Sequence, residues 1–186
     1  MVISKSMKKR KFSPEAEQHH NFLIYDLTTA LPDYLLAFHI NKNLNMHFAR
    51  EKDFEVHIAS GENPDSYSLY IFEEHQNQKY YLVHNLKDEN PLMKDYFLFV
   101  EGSFHKKMED EFIHNLRSIP DVLNVNTISL SATTSGKSHS KKTVEMINAL
   151  LTDLEYHISN MNRQKTEQVT MLPPLKKDTI KKLYNS

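Results

Sequence analysis

Five consecutive residues, Tyr96-Phe97-Leu98-Phe99-Val100, leave no polar position between them, and this run constrains the chain more than any other feature. A strand turns successive side chains to opposite faces, so an unbroken apolar run belongs to a central strand covered on both sides. The rest of the chain supplies pieces for the sheet around it. Phe22-Leu23-Ile24-Tyr25, extended by Leu27, Thr28 and Thr29, is short and flanked by polar residues, as a strand inside a sheet is. Pro32-Asp33 then opens a helix in which Leu36, Ile40 and Leu44 recur four apart, with Leu35 and Phe38 broadening the apolar stripe.

From His47 the period drops to two, through Phe48, Phe54, Val56 and Ile58, until Ser60 to Asp65 breaks the chain. Tyr67, Leu69 and Ile71 alternate with Ser66, Ser68 and Tyr70, and Tyr80-Tyr81-Leu82-Val83 follows a polar stretch, which reads as an antiparallel hairpin. After the central run, Ser103 is the expected N-cap of a helix with the stripe Met108, Phe112, Leu116 and Ile119, and Pro120 stops it. Val122, Leu123, Val125, Ile128 and Leu130 supply a last strand. The order β-α-β-β-β-β-α-β, rich in hairpins, predicts an α+β fold: a mostly antiparallel sheet covered by two helices, plus a C-terminal amphipathic helix.

Composition shifts divide the chain into a basic flexible N-terminal tail at 1–20, an α+β domain at 21–131, a linker at 132–139, an amphipathic helix at 140–163 and a basic C-terminal tail at 164–186. The formal net charge of −1 hides an asymmetry. Lys5, Lys8, Lys9, Arg10 and Lys11 against Glu15 and Glu17 make residues 1–20 basic by +3. Arg163, Lys165, Lys176, Lys177, Lys181 and Lys182 against Glu167 and Asp178 make residues 162–186 basic by +4, which leaves −8 for the body. An acidic body argues against nucleic-acid binding by the domain itself and leaves only the tails for a weak electrostatic contact with nucleic acid. The absence of cysteine excludes a disulfide framework and thiolate chemistry and suits a reducing compartment. With no run of about 18 apolar residues and no secretory signal, no membrane span and a cytoplasmic location are expected.

Two features are candidates for partner binding. Val144, Ile147, Leu151, Leu154, Ile158 and Met161 step by 3 and 4, a heptad seam for self-association or for a protein partner, unless the same stripe packs on the chain's own sheet. Tyr67, Tyr70, Tyr80 and Tyr81 cluster on the hairpin with opposite parities, so some fall on each face, and an aromatic face outside the core marks an interface.

Signs of catalysis are weak. Ser131 to Ser138 ends in Gly136-Lys137-Ser138 like a phosphate-binding loop, but Ser131 stands where that loop's first glycine belongs. Eleven histidines show no His-Glu-x-x-His and no i,i+4 pair, so no metal site is expected. Glu73, Glu74, Asp95 and Glu101 lie near strand ends where clefts form, with no nucleophile motif beside them. No catalytic residue and no cofactor is assigned.

Phe22-Leu23-Ile24-Tyr25, Pro32-Asp33-Tyr34-Leu35, Asp95 to Gly102 and Ser118-Ile119-Pro120-Asp121-Val122 together resemble the small bacterial family named IPExxxDY, in the family's order over residues 21–131. Asp121 stands where the signature has glutamate, and Val125-Asn126 where it has aspartate and tyrosine. The resemblance implies no assigned activity, cofactor or catalytic residue. Within the signature, Ile119 closes the helix stripe, Pro120 stops the helix and Val122 starts the strand. The expected function is a non-enzymatic interaction or adaptor domain, with a small-ligand sensor or cleft enzyme, and an RNA-associated protein acting through its tails, as alternatives.

Overall fold

A computed structural model describes residues 22–57, 63–74, 78–85, 93–129 and 141–170. Both tails, the linker and its Gly-Lys-Ser segment lie outside the described residues, apart from the start of the C-terminal tail. The elements are β1 (Phe22–Thr29), α1 (Asp33–Leu44), β2 (Ala49–Val56), β3 (Asp65–Glu73), β4 (Lys79–Asn85), β5 (Lys94–Glu101), α2 (Lys106–Arg117), β6 (Val122–Ile128) and α3 (Lys141–Thr170). This is the expected α+β order. All six strands form one antiparallel sheet in the order β2-β3-β4-β5-β1-β6.

The central run behaves as its lack of alternation predicts. Tyr96, Leu98 and Val100 of β5 face one way, into a core with Tyr25, Leu27, Leu36, Ile40, Phe112 and Leu116. Phe99 faces the other way, into a second core with Ile24, Tyr67, Leu69, Tyr81, Ile147 and Leu151. Helices α1 and α2 therefore cover one face and α3 the other. Each core is a stacked layer of the kind that gives a sheet its buried faces.

Local chemistry sets the joints. Asn45, at φ 54°, ends α1 in the left-handed region that asparagine tolerates. One turn earlier the Asn41 side chain grips the next strand's approach: Phe48 N–H donates to Asn41 Oδ1 at 2.7 Å, and Asn41 Nδ2 donates to the Phe48 carbonyl at 3.1 Å. The expected Ser103 cap is not used, and α2 begins at Lys106 after His105 with no side-chain cap. The segment is instead spent on packing: the Ser103 carbonyl accepts from Gln78 Nε2 at 3.0 Å, and the Phe104 ring sits 5.3 Å from Phe112. Gly102 has φ 128°, and a Cβ there would lie 3.1 Å from Gln78 Cγ, so the turn that admits this packing suits glycine alone.

The segment Ser118 to Val122 forms a helix-to-strand turn. Asp121 has φ 65°, and its carbonyl accepts from Thr29 Oγ1 at 2.8 Å and from Ala30 N–H at 3.4 Å. Thr29 Oγ1 in turn accepts from Leu31 N–H at 3.1 Å, while Tyr96 Oη donates to the Leu31 carbonyl at 2.9 Å. These bonds tie α2, β6, β1 and β5 to one point.

Candidate functional site

Most of the two sequence-derived partner surfaces is packed inside the molecule. Ile147, Leu151 and Leu154 are fully buried against the sheet, and Val144, Ile158 and Met161 are half-buried along the same line. The heptad seam is thus a packing stripe within the chain, because α1 and α2 both lie on one face and leave the other face for α3 to cover. The tyrosines follow their parity. Tyr70 and Tyr80 enter the α1–α2 core, and Tyr67 and Tyr81 enter the α3 core, all four buried. None of them presents an outward aromatic face. The physical reason is that both faces of the hairpin are covered, where a one-sided domain would have left one parity in solvent.

Helix α3 also runs past the predicted end at 163, to Thr170. Lys165, which seemed to break the seam, pairs with Glu51 of β2 at 3.5 Å. Farther back, Asp153 Oδ2 accepts from His57 N–H at 2.8 Å, and the His157 ring lies 5.5 Å from Phe54. Helix α3 is fastened along the β2 edge in this way. Past Leu154 the packing loosens, and Ile158, Met161 and Lys165 stand across from Glu51, Glu73 and Tyr81 around a cleft of about 540 Å³.

The carboxylates expected near clefts are engaged. Tyr81 Oη donates to Glu101 at 3.0 Å, Thr28 Oγ1 donates to Asp95 at 2.9 Å, Lys79 lies 3.5 Å from Glu73, and Tyr80 Oη donates to Glu74 at 3.4 Å. Burial raises the pKa of the Tyr81 hydroxyl far above its ordinary value, and the charge and hydrogen bond of Glu101 raise it further. Tyr80 is raised by burial and Glu74, and Tyr25 by burial and Glu109, which its hydroxyl meets at 3.2 Å. These phenols stay protonated at neutral pH and serve as donors, not as bases. Ser68 and His84 are buried cross-strand neighbours, but His84 Nδ1 meets the Asp95 carbonyl at 3.0 Å and Ser68 Oγ has no partner, so they do not form a nucleophile–base pair. Among the described residues no group of three or more histidine, cysteine or acidic side chains could hold a metal ion. Among the same residues no helix is long and apolar enough to cross a membrane.

One outward surface was not anticipated. Phe38, read as part of the α1 core stripe, is 56% exposed, and Tyr34, one turn before it, is 61% exposed. Lys42 continues the same line one turn on and is exposed as well. The core of α1 rests on Leu36 and Ile40, on the opposite side of the helix, with Ala37 at the flank. The sequence carried the signal: a residue two from both Leu36 and Ile40 points away from them on a helix. Compared with family models, curated proteins and solved structures, the chain matches none.

Proposed function

We propose that this chain is a cytoplasmic, non-enzymatic protein-interaction domain and that the outer face of α1 is its contact surface. The observation that carries the reading is the aromatic pair Tyr34 and Phe38, left in solvent one turn apart on a helix. Single exposed apolar residues are ordinary. An i,i+4 pair of aromatic rings on one helix face is the spacing by which helices anchor themselves in partners, and tyrosine is enriched among the residues that dominate binding energy. The likeness to the IPExxxDY family supports this reading, since its signature segment here serves a helix-to-strand joint and offers no reacting group. The engagement of the sheet's phenols with carboxylates points the same way.

The test compares the full chain with a Tyr34→Ser/Phe38→Ser variant as baits in a nuclease-treated native lysate. The full chain is expected to retain a stoichiometric protein that the variant loses, with the melting temperatures within a few degrees because both rings are exposed. Retention by both baits removes α1 from the proposal, and retention by neither removes the interaction reading. The cleft beside α3 favours small-ligand binding as the second reading. A ligand held there at 100 times its dissociation constant adds about 2.7 kcal/mol to stability. A flat thermal-shift screen against metabolites would dismiss it.

A further inference from the structure

Helix α3 changes character at Leu154. Before that point Ile147, Leu150, Leu151 and Leu154 are fully buried, and Asp153 Oδ2 accepts from His57 N–H at 2.8 Å, which clamps the helix beside the end of β2. After it the apolar line continues through Ile158 and Met161, both half-buried, over the cleft they share with Ile71 and Tyr81. The turn in between is poorly satisfied. Glu155 Oε1 and His157 Nε2 are buried without a hydrogen-bond partner, two of the three such side-chain atoms among the described residues. A buried polar atom that gives up water and gains no partner weighs against the packed arrangement, and water restores its bond when the turn lifts. An ion pair fastens the far end, Lys165 to Glu51 at 3.5 Å, and with the lysine 65% exposed it holds weakly.

We propose that the part of α3 beyond Leu154 is a flap that lifts from the sheet while the buried half stays seated, with its hinge at Leu154–Glu155 and the cleft beneath it. Lifting uncovers the remaining covered sides of Ile158 and Met161 and the face of Phe54 under the His157 ring, and it returns Glu155 and His157 to water. The half before the hinge has no such exchange to make: lifting it uncovers four fully buried side chains and the sheet core beneath them. The two halves therefore open with different free energies, as separate cooperative units do. A lifted flap is short and has lost its packing, and an unsupported helix of that length unwinds in water, so its backbone amides exchange while it is open. The flap lies over the cleft of the second reading and sets how a ligand would enter it, but its motion follows from the helix's own contacts, with or without a ligand.

Hydrogen exchange of the full chain, followed by mass spectrometry and corrected for intrinsic rates, reads the two halves separately. The expected result is a step: amides of residues 155–170 exchange together and at least about 100-fold faster than those of 147–154. Glu155→Leu/His157→Phe puts apolar side chains in place of the unpartnered atoms and is expected to slow the outer amides by about tenfold or more, while the inner ones stay within about twofold. Lys165→Glu, at an exposed position opposite Glu51, is expected to speed the outer amides alone by about threefold, and it decides the matter should the double variant fold poorly. Equal protection along the whole helix, or equal exchange along it, overturns the flap. So does a gradual loss from Thr170 inward that neither variant alters, which is ordinary end fraying. A flat thermal-shift screen beside an intact step at Leu154 dismisses the ligand reading and leaves the flap in place.

Discussion

Thr29 shows how one hydroxyl holds a joint that no apolar residue could. It is fully buried, gives its proton to the Asp121 carbonyl and takes the Leu31 N–H. Thr29→Val keeps the shape and strands both partners, and an unsatisfied buried group costs about 1–3 kcal/mol. A loss of about 2 kcal/mol in urea denaturation is expected, with Thr29→Ser close to wild type. His157 contributes to acid sensitivity. Its Nε2 is buried without a partner, and burial lowers its pKa below the ordinary 6.5. The backbone of Lys52 and the charge of Glu51 oppose that shift, and the charge of Lys52 adds to it. A histidine that binds its proton less readily when folded leaves more protons on the unfolded chain, so stability falls as pH drops below 6.5 and the loss is complete below the folded pKa. His157→Phe, which keeps a ring against Phe54, should flatten that part of the stability–pH curve measured by chemical denaturation between neutral and mildly acid pH.

At the scale of elements, α3 is the cover of one sheet face, and its grip is graded. Leu151 is fully buried and Ile158 half-buried. Leu151→Ala should therefore cost about 2–5 kcal/mol, while Ile158→Ala, over the cleft, should cost clearly less, as read from denaturation midpoints. Much of this level was legible in the sequence. The 3-4 stepping of Ile147, Leu151 and Leu154 foretold one apolar line, and the parity of the four tyrosines foretold their division between two faces. What the line packed against was not legible, because a heptad seam and a sheet-covering stripe share one period over three heptads. The helix's extension past 163 was hidden for a different reason: Lys165 reads as the end of an apolar pattern and is held by Glu51, a residue more than a hundred positions away. Phe38 and Met108 were read as core from their place near apolar neighbours, and both stand half or more exposed because the helices offer only a narrow stripe to the sheet.

For the whole molecule, the strand order β2-β3-β4-β5-β1-β6 is where sequence reasoning stops, since pairing partners leave no local mark. The first strand enters the sheet between the two described last, with Tyr25 opposite both Leu98 and Thr127. Closing such distant pairs costs chain entropy before any contact rewards it, so refolding is expected on the millisecond-to-second scale typical of sheet-dominated domains, followed by stopped-flow mixing. Both sheet edges are also guarded. β2 alternates charges and its register shifts between Glu51 and Phe54, while on β6 the ladder shifts opposite Thr28 and Thr29 and Arg117 Nη2 donates to the Val125 carbonyl at 2.7 Å. Association through an edge is thereby discouraged.

The bonded phenols have an optical consequence. The chain has no tryptophan and nine tyrosines, so its ultraviolet emission comes from tyrosine alone. A phenol that donates to a carboxylate is quenched, and Tyr25 and Tyr81 both do so in the native sheet, while the Tyr80 hydroxyl lies 3.0 Å from Gln78 Oε1 and 3.4 Å from Glu74. Unfolding breaks these bonds, so tyrosine emission is expected to rise as denaturant is added, a readout of unfolding with no dye or label attached.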